Sequence, residues 1–119
     1  MIIILLAVKA RQSMELKDVD KKVLEFNKAH GVVITTGLYI TIVELLKTWI
    51  PQAKQEDIEI LRKANAVILH FTIGIWIRNN CLRVDRELKE DLLTAGYSHI
   101  DDMSHAMILI WQAEIDELL

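Results

Sequence analysis

Residues 96–107 read GYSHIDDMSHAM, with two adjacent aspartates, Asp101 and Asp102, set between His99 and His105 and with Ser104 close by. Carboxylates and imidazoles at this density suit a metal site, an acid–base pair or the start of a helix. A metal centre needs ligands that converge, and helical spacing does bring Asp101 and Asp102 near His105. The order His-x-Asp-Asp-x-x-His is nevertheless not an established ligand pattern of the His-Glu-x-x-His kind. Capping accounts for more of the stretch. Acids in a first turn face the positive end of the helix dipole, worth roughly 0.3–1 kcal/mol each at a surface. Ser98 or His99 offers the cap, and Asp102 is spaced to reach back to a free N–H as in a capping box. A helix start, with no metal and no catalytic residue, is the expectation.

A second polar knot closes an apolar run upstream, HFTIGIWIRNN at residues 70–80. His70, Gly74 and Arg78 stand at i, i+4 and i+8 and so share one line of a helix. Two uses of that line are open. It could wall a polar pocket in which His70 and Arg78, with Asn79 and Asn80 beside them, bind an anion. Or it could be structural, with His70 hydrogen-bonded in the core, Gly74 admitting a neighbouring helix and Arg78 paired to a carboxylate. The structural use is favoured, because ion-pair networks are often structural. A bidentate bridge from Arg78 to Asp101 or Asp102 would then fix how two helices cross.

Other chemistry finds little footing. No nucleophile elbow, phosphate-binding loop, Gly-rich dinucleotide turn or Cys-x-x-Cys is present. Cys81 is a single cysteine and fits a reducing compartment. With no base beside it in sequence, it reads as a buried thiol. Trp49, Trp76 and Trp111 fall at helical stripe positions, as core or interface anchors. Glu44 belongs at the edge of an apolar stripe.

The run LHFTIGIWIRNN followed by AGYSHIDDMSHAMI resembles a bacterial and phage-associated domain family of unknown function. Its members carry W-[IL]-R-N-N, a leucine-containing helix, a glycine and then H-P-D-D-M-S. The likeness spans roughly residues 56–110. His70, Gly74, Trp76, Arg78, Asn79, Gly96, His99, Asp101, Asp102, Met103 and Ser104 each fall on a motif position. Two departures stand out: Ile100 replaces the usual proline, and CLRVD replaces a longer Gly- and Trp-containing connection. The resemblance implies a site list without implying a reaction.

These residues need helices to hold them. Leu16, Val19, Val23 and Phe26 recur at steps of three and four after Ser13, a candidate N-cap, and Gly31 offers a stop. VVITT serves as an extended lead, with Thr35 or Thr36 capping the next stripe, Leu38, Ile42, Leu45, Leu46 and Trp49, which Pro51 closes. A long third helix over about 55–79 is amphipathic at first and then apolar nearly all round from Ala66 to Ile77. That pattern predicts a central pillar buried on several sides. A short helix from about Asp85 to Ala95 and a last one from about Asp101 to Leu118 complete an all-α bundle of about five helices.

At 119 residues the chain reads as one domain, 1–119, with 1–12 as a possible appended strand or extended segment. The opening run MIIILLAV lacks a basic n-region and is too short to span a bilayer, and Met14 is a conceivable alternative start. Residues 1–50 carry 7 basic and 5 acidic side chains (+2), and 51–119 carry 7 and 12 (−5). Neither half has the basic stripe of a nucleic-acid binder. Hydrophobic residues make up 52% of the chain, high for a small soluble sphere, so part of that surface is expected against another chain. The expectation is a cytoplasmic protein-interaction module, an adaptor, immunity-type or defence-modulating factor. It needs no cofactor, no nucleic acid and no membrane, and it self-associates, as a dimer first. The alternative is a small-molecule or nucleotide-anion binding domain, with or without hydrolytic activity, at His70, Arg78 and Asp102.

Overall fold

Thr35, Asn65 and Asp85 each accept a hydrogen bond from the backbone N–H three residues on, at 3.2, 3.0 and 3.1 Å, and each opens a helix. A side-chain oxygen there satisfies one of the N–H groups that a helix start leaves without a partner. The computed structural model describes residues 21–119. Helix α1 (Lys21–Ala29) ends at Gly31, and an extended stretch leads into α2 (Thr36–Trp49). Pro51 then tightens the chain into a short 3-10 turn, Ile50–Gln52. Next come α3 (Gln55–Lys63), α4 (Ala66–Phe71) and α5 (Ile73–Ile77), which runs into a single π turn, Arg78–Leu82. Helix α6 (Arg86–Ala95) stops at Gly96, whose φ of 125° suits glycine, and α7 (Ile100–Leu118) closes the chain. Among the described residues there is no strand, and the fold is all-α. None of their helices is long and apolar enough to cross a membrane.

The pillar of the bundle is α7, not the 55–79 segment that its apolar run suggested. Met103, Ser104, Ala106, Met107, Ile108, Ile110, Trp111, Glu114 and Ile115 are all buried, and α7 packs on α1, α2, α3, α4, α5 and the π turn. The 55–79 segment is instead broken twice. Ala64 and Asn65 are extended, with ψ of 156° and 171°, so Asn65 caps a new helix rather than continuing the old one. Thr72 lies outside helical geometry at φ −120°, ψ −89°, and its hydroxyl donates back to the Ile68 carbonyl at 2.7 Å. Threonine bonding of this type competes with the backbone ladder and bends helices. The second half of the segment is also not enclosed on all sides: Val67, Ile68, Phe71 and Ile75 are exposed.

Three indoles lock α2, α5 and α7 together. The rings of Trp49 and Trp111 lie 5.4 Å apart, Trp76 sits 6.5 Å from each, and Trp111 Nε1–H donates to the Ile42 carbonyl at 2.9 Å. A buried indole without an acceptor would cost on the order of 1–3 kcal/mol, so this bond fixes which way Trp111 faces. Polar bolts hold the periphery. The Tyr97 hydroxyl donates to Asn27, tying α1 to the α6–α7 connection. The Tyr39 hydroxyl donates to Glu114 at 2.5 Å, joining α2 to α7. Of the first expected stripe, Val23 is buried and Phe26 packs on the core. Ser13, Met14, Leu16, Val19 and the 1–12 run lie outside the described residues.

Because Asn65 alone caps α4, Asn65→Ala is expected to lower stability by about 1 kcal/mol. It should also speed amide hydrogen exchange in 66–71 more than in α7, and equal protection in the two proteins would remove the cap from the account.

Candidate functional site

A guanidinium can only donate hydrogen bonds, so a buried arginine must be surrounded by acceptors. Arg78 is 8% exposed, at the point where α5 passes into the π turn. Its Nη2 donates to the His70 carbonyl at 3.0 Å, and its Nη1 donates to Ser104 Oγ at 2.9 Å and faces His70 Nδ1 at 3.4 Å. The Ser104 hydroxyl passes the polarity on by donating to the Asp101 carbonyl at 3.0 Å. Thus one side chain joins α4, α5 and the first turn of α7.

Gly74 makes this geometry possible. A Cβ built there would stand 2.9 Å from Arg78 Nη1, 3.1 Å from the Leu69 carbonyl oxygen and 3.3 Å from Ile108 Cδ1. The guanidinium occupies the space that any other residue would fill. The i, i+4, i+8 line of His70, Gly74 and Arg78 therefore survives the kink at Thr72, with the arginine folded back along it.

The expected bidentate bridge between Arg78 and the twin acids is replaced by something weaker. Asp101 Oδ1 lies 3.7 Å from Arg78 Nε, beyond hydrogen-bond length, and its side chain is 65% exposed. Water screens such a contact, so the neutral acceptors hold the guanidinium and Asp101 adds little. Asp102 turns away altogether, its carboxylate 3.8 Å from His30 Nε2 on α1. The capping box is not formed either. His99 occupies the N-cap position with extended backbone, but its side chain makes no capping bond.

The remaining candidates scatter. Asn79 is exposed and accepts from Arg83 at 2.8 Å, and Asn80 is exposed and donates to the Trp76 carbonyl at 3.0 Å. The structure thus brings His70, Arg78, Asp101 and Ser104 together, and leaves Asn79, Asn80 and His99 apart. Among the described residues no group of three histidine, cysteine or acidic side chains is arranged to hold a metal ion. Glu44 is exposed and pairs with Lys47 at 3.1 Å. Cys81 is buried, and that burial pushes its thiol up to about 11, so little thiolate forms near neutral pH.

Above the braced arginine the surface forms an open depression of about 390 Å³, lined by Ala66, Val67, His70, Phe71, Asp101, Asp102 and His105. Arg78 lies beneath it and does not line it. Burial pushes the His105 imidazole below the usual histidine range, with His70 and His30 acting in the same sense and Asp102 opposing. Its other face packs on Phe26, ring centroids 4.6 Å apart. From one edge of the depression an apolar strip leads away along α4 and α5: Val67, Ile68, Phe71 and Ile75 are 66, 47, 65 and 43% exposed. Val67, Phe71 and Ile75 follow at i, i+4 and i+8, one line round from the buried His70–Gly74–Arg78 line. Sequence reasoning placed this strip in the core. Asn65, a cap residue just before the run, was the available sign that a separate helix begins there.

Fold and site together define a small all-α bundle with a buried arginine brace under an apolar, acid-edged surface. The chain belongs to a family built on a domain of unknown function, DUF6794, whose model matches residues 36–114. That match takes in α2 and the Trp49 anchor as well as both polar knots, and leaves α1 outside. No curated protein and no solved structure matches the chain.

Two measurements check the site. Gly74→Ala gains up to about 1 kcal/mol in helix propensity. It loses more, about 1–3 kcal/mol, by crowding the guanidinium and the Leu69 carbonyl. Net destabilisation in urea is therefore expected, smaller when Arg78 is already Ala. Arg78→Lys keeps the charge but loses the fork, and should cost most of what Arg78→Ala costs, about 1–3 kcal/mol for each acceptor left buried without a donor. Lysine at full stability would contradict the brace. Separately, the native state disfavours protonated His105, so its contribution is complete above the unfolded value of about 6.5 and is lost as pH falls below it. His105→Gln should flatten the loss of stability as pH falls below about 6.5, and an unchanged slope would exclude His105 as its source.

Proposed function

We propose that this protein is a small helical docking module, an adaptor, immunity-type or defence-modulating factor of bacterial or phage origin, working in the cytoplasm by seating a protein partner on α4 and α5. One observation carries the reading. Four large apolar side chains, Val67, Ile68, Phe71 and Ile75, stand exposed within nine residues on a helix pair pinned by a buried arginine. Exposed apolar side chains scattered singly are ordinary, but a contiguous set on one rigid face marks an interaction surface. Phe71 has the character of an anchor: large, apolar and 65% exposed. Self-association through the same strip is a second form of this reading, favoured by the chain's high apolar content.

An anion-binding or hydrolytic centre at His70, Arg78 and Asp102 has less support. The guanidinium donates to internal acceptors, and the depression above it carries two carboxylates, which repel an anionic substrate.

Phe71→Asp and Val67→Asp should each abolish partner capture from the native host, measured by pull-down and mass spectrometry, at unchanged helicity. Leu93→Asp, an equally apolar exposed site on α6, should retain it. Capture that is indifferent to Phe71 and Val67 would defeat the reading.

A further inference from the structure

We infer that the segment seated on the α4–α5 strip is an amphipathic helix bearing a lysine or arginine beside its apolar stripe. This rests on the docking reading above and names the partner's chemistry. Val67 and Phe71 stand one turn apart on α4, and Ile75 follows on α5 beyond the kink at Thr72, so the strip offers a helix about two turns of contact. A groove or face of that length is read by a helix through anchors at i, i+4 and i+7.

Charge then selects among helices. Val67 and Phe71 belong both to the strip and to the depression that Asp101 and Asp102 line, so carboxylates stand at the strip's edge. Among the described residues no lysine or arginine lines that depression. The Arg78 guanidinium is committed to the His70 carbonyl and to Ser104, and its Nε meets the Asp101 carboxylate only at 3.7 Å. The Asp101 carboxylate is therefore largely open to solvent, its side chain 65% exposed. A partner's cation placed there meets a carboxylate and the exposed Phe71 ring together, and both attract it. His70 stands edge-on to that ring, 4.8 Å away, and backs it. A second copy of this chain fits less well, since its own strip has the same acidic edge and the whole chain carries −3.

The test uses the full chain against a displayed library of amphipathic helices three to four turns long, with the positions flanking the apolar stripe randomised among Lys, Arg, Glu, Asp and Gln. Selection runs on the wild type with counter-selection on Phe71→Asp. The expected winners carry Lys or Arg beside the stripe. As synthetic peptides they should lose about fivefold in affinity for Asp101→Asn and weaken further as salt rises, the size expected of a partly exposed ion pair. Asp101→Asn keeps the shape of the side chain, and its thermal unfolding should fall only slightly, by the charge lost from the helix start. Winners that depend on Phe71 but show no preference for basic residues, or prefer acidic ones, overturn the inference and leave the docking reading intact. Winners that bind Phe71→Asp equally well overturn both. A concentration-dependent dimer in sedimentation that Phe71→Asp dissolves makes a second copy the occupant, and that also overturns it.

Discussion

A buried guanidinium with neutral acceptors on two sides is the constraint from which the upper half of this bundle follows. Arg78 needs acceptors because it cannot accept, and it needs room because it is large. The carbonyl of His70 and the hydroxyl of Ser104 meet the first need, and the missing side chain of Gly74 meets the second. Each of these three lies on a different piece of chain, so the arginine also sets their relative positions. Once it is in place, α4 and α5 are no longer free to slide over α7, although each is too short to be stable alone.

The shortness of α4 and α5 has its own cause. A continuous helix through 55–79 would bring its apolar circumference to water on one side with nothing to define an edge. The cap at Asn65 and the kink at Thr72 divide the run into segments that each turn a limited face inward: Leu69, Ile73 and Ile77. The π turn that follows carries Cys81 and Leu82 into the core. Widened turns of this type are uncommon and concentrate at functional elements. Here the turn closes the braced segment and hands the chain to α6.

Much of this architecture was legible in the sequence. The caps at Thr35 and Asp85, the stops at Gly31 and Gly96, and the tryptophan stripes obey local rules and lie where those rules put them. Reading failed at the 55–79 segment. An all-apolar run is equally consistent with enclosure and with a face awaiting a partner, because periodicity measures polarity and not what stands opposite. The Arg78–Asp101 pairing was half right for a related reason. Sequence spacing brings the two groups near one another, but it says nothing of the serine hydroxyl and carbonyl that compete for the same donors. Asp102 lies instead beside His30, 72 positions earlier in the chain, a proximity that only the packed α1 creates.

The division of labour on one helix pair gives the molecule its character. The line through His70, Gly74 and Arg78 is spent on internal bonds, and the neighbouring line through Val67, Phe71 and Ile75 is left to solvent. Polar residues that look catalytic in sequence thus hold the frame, and residues that look like core form the outward face. That inversion has an energetic logic. An apolar face on a loose helix would find cover by collapsing inward or by pairing at random, whereas one pinned from behind keeps its shape and would lose less entropy in the docking proposed above. Rigidity beneath and exposed hydrocarbon above are two halves of one arrangement, and the arginine supplies the first so that the phenylalanine can supply the second.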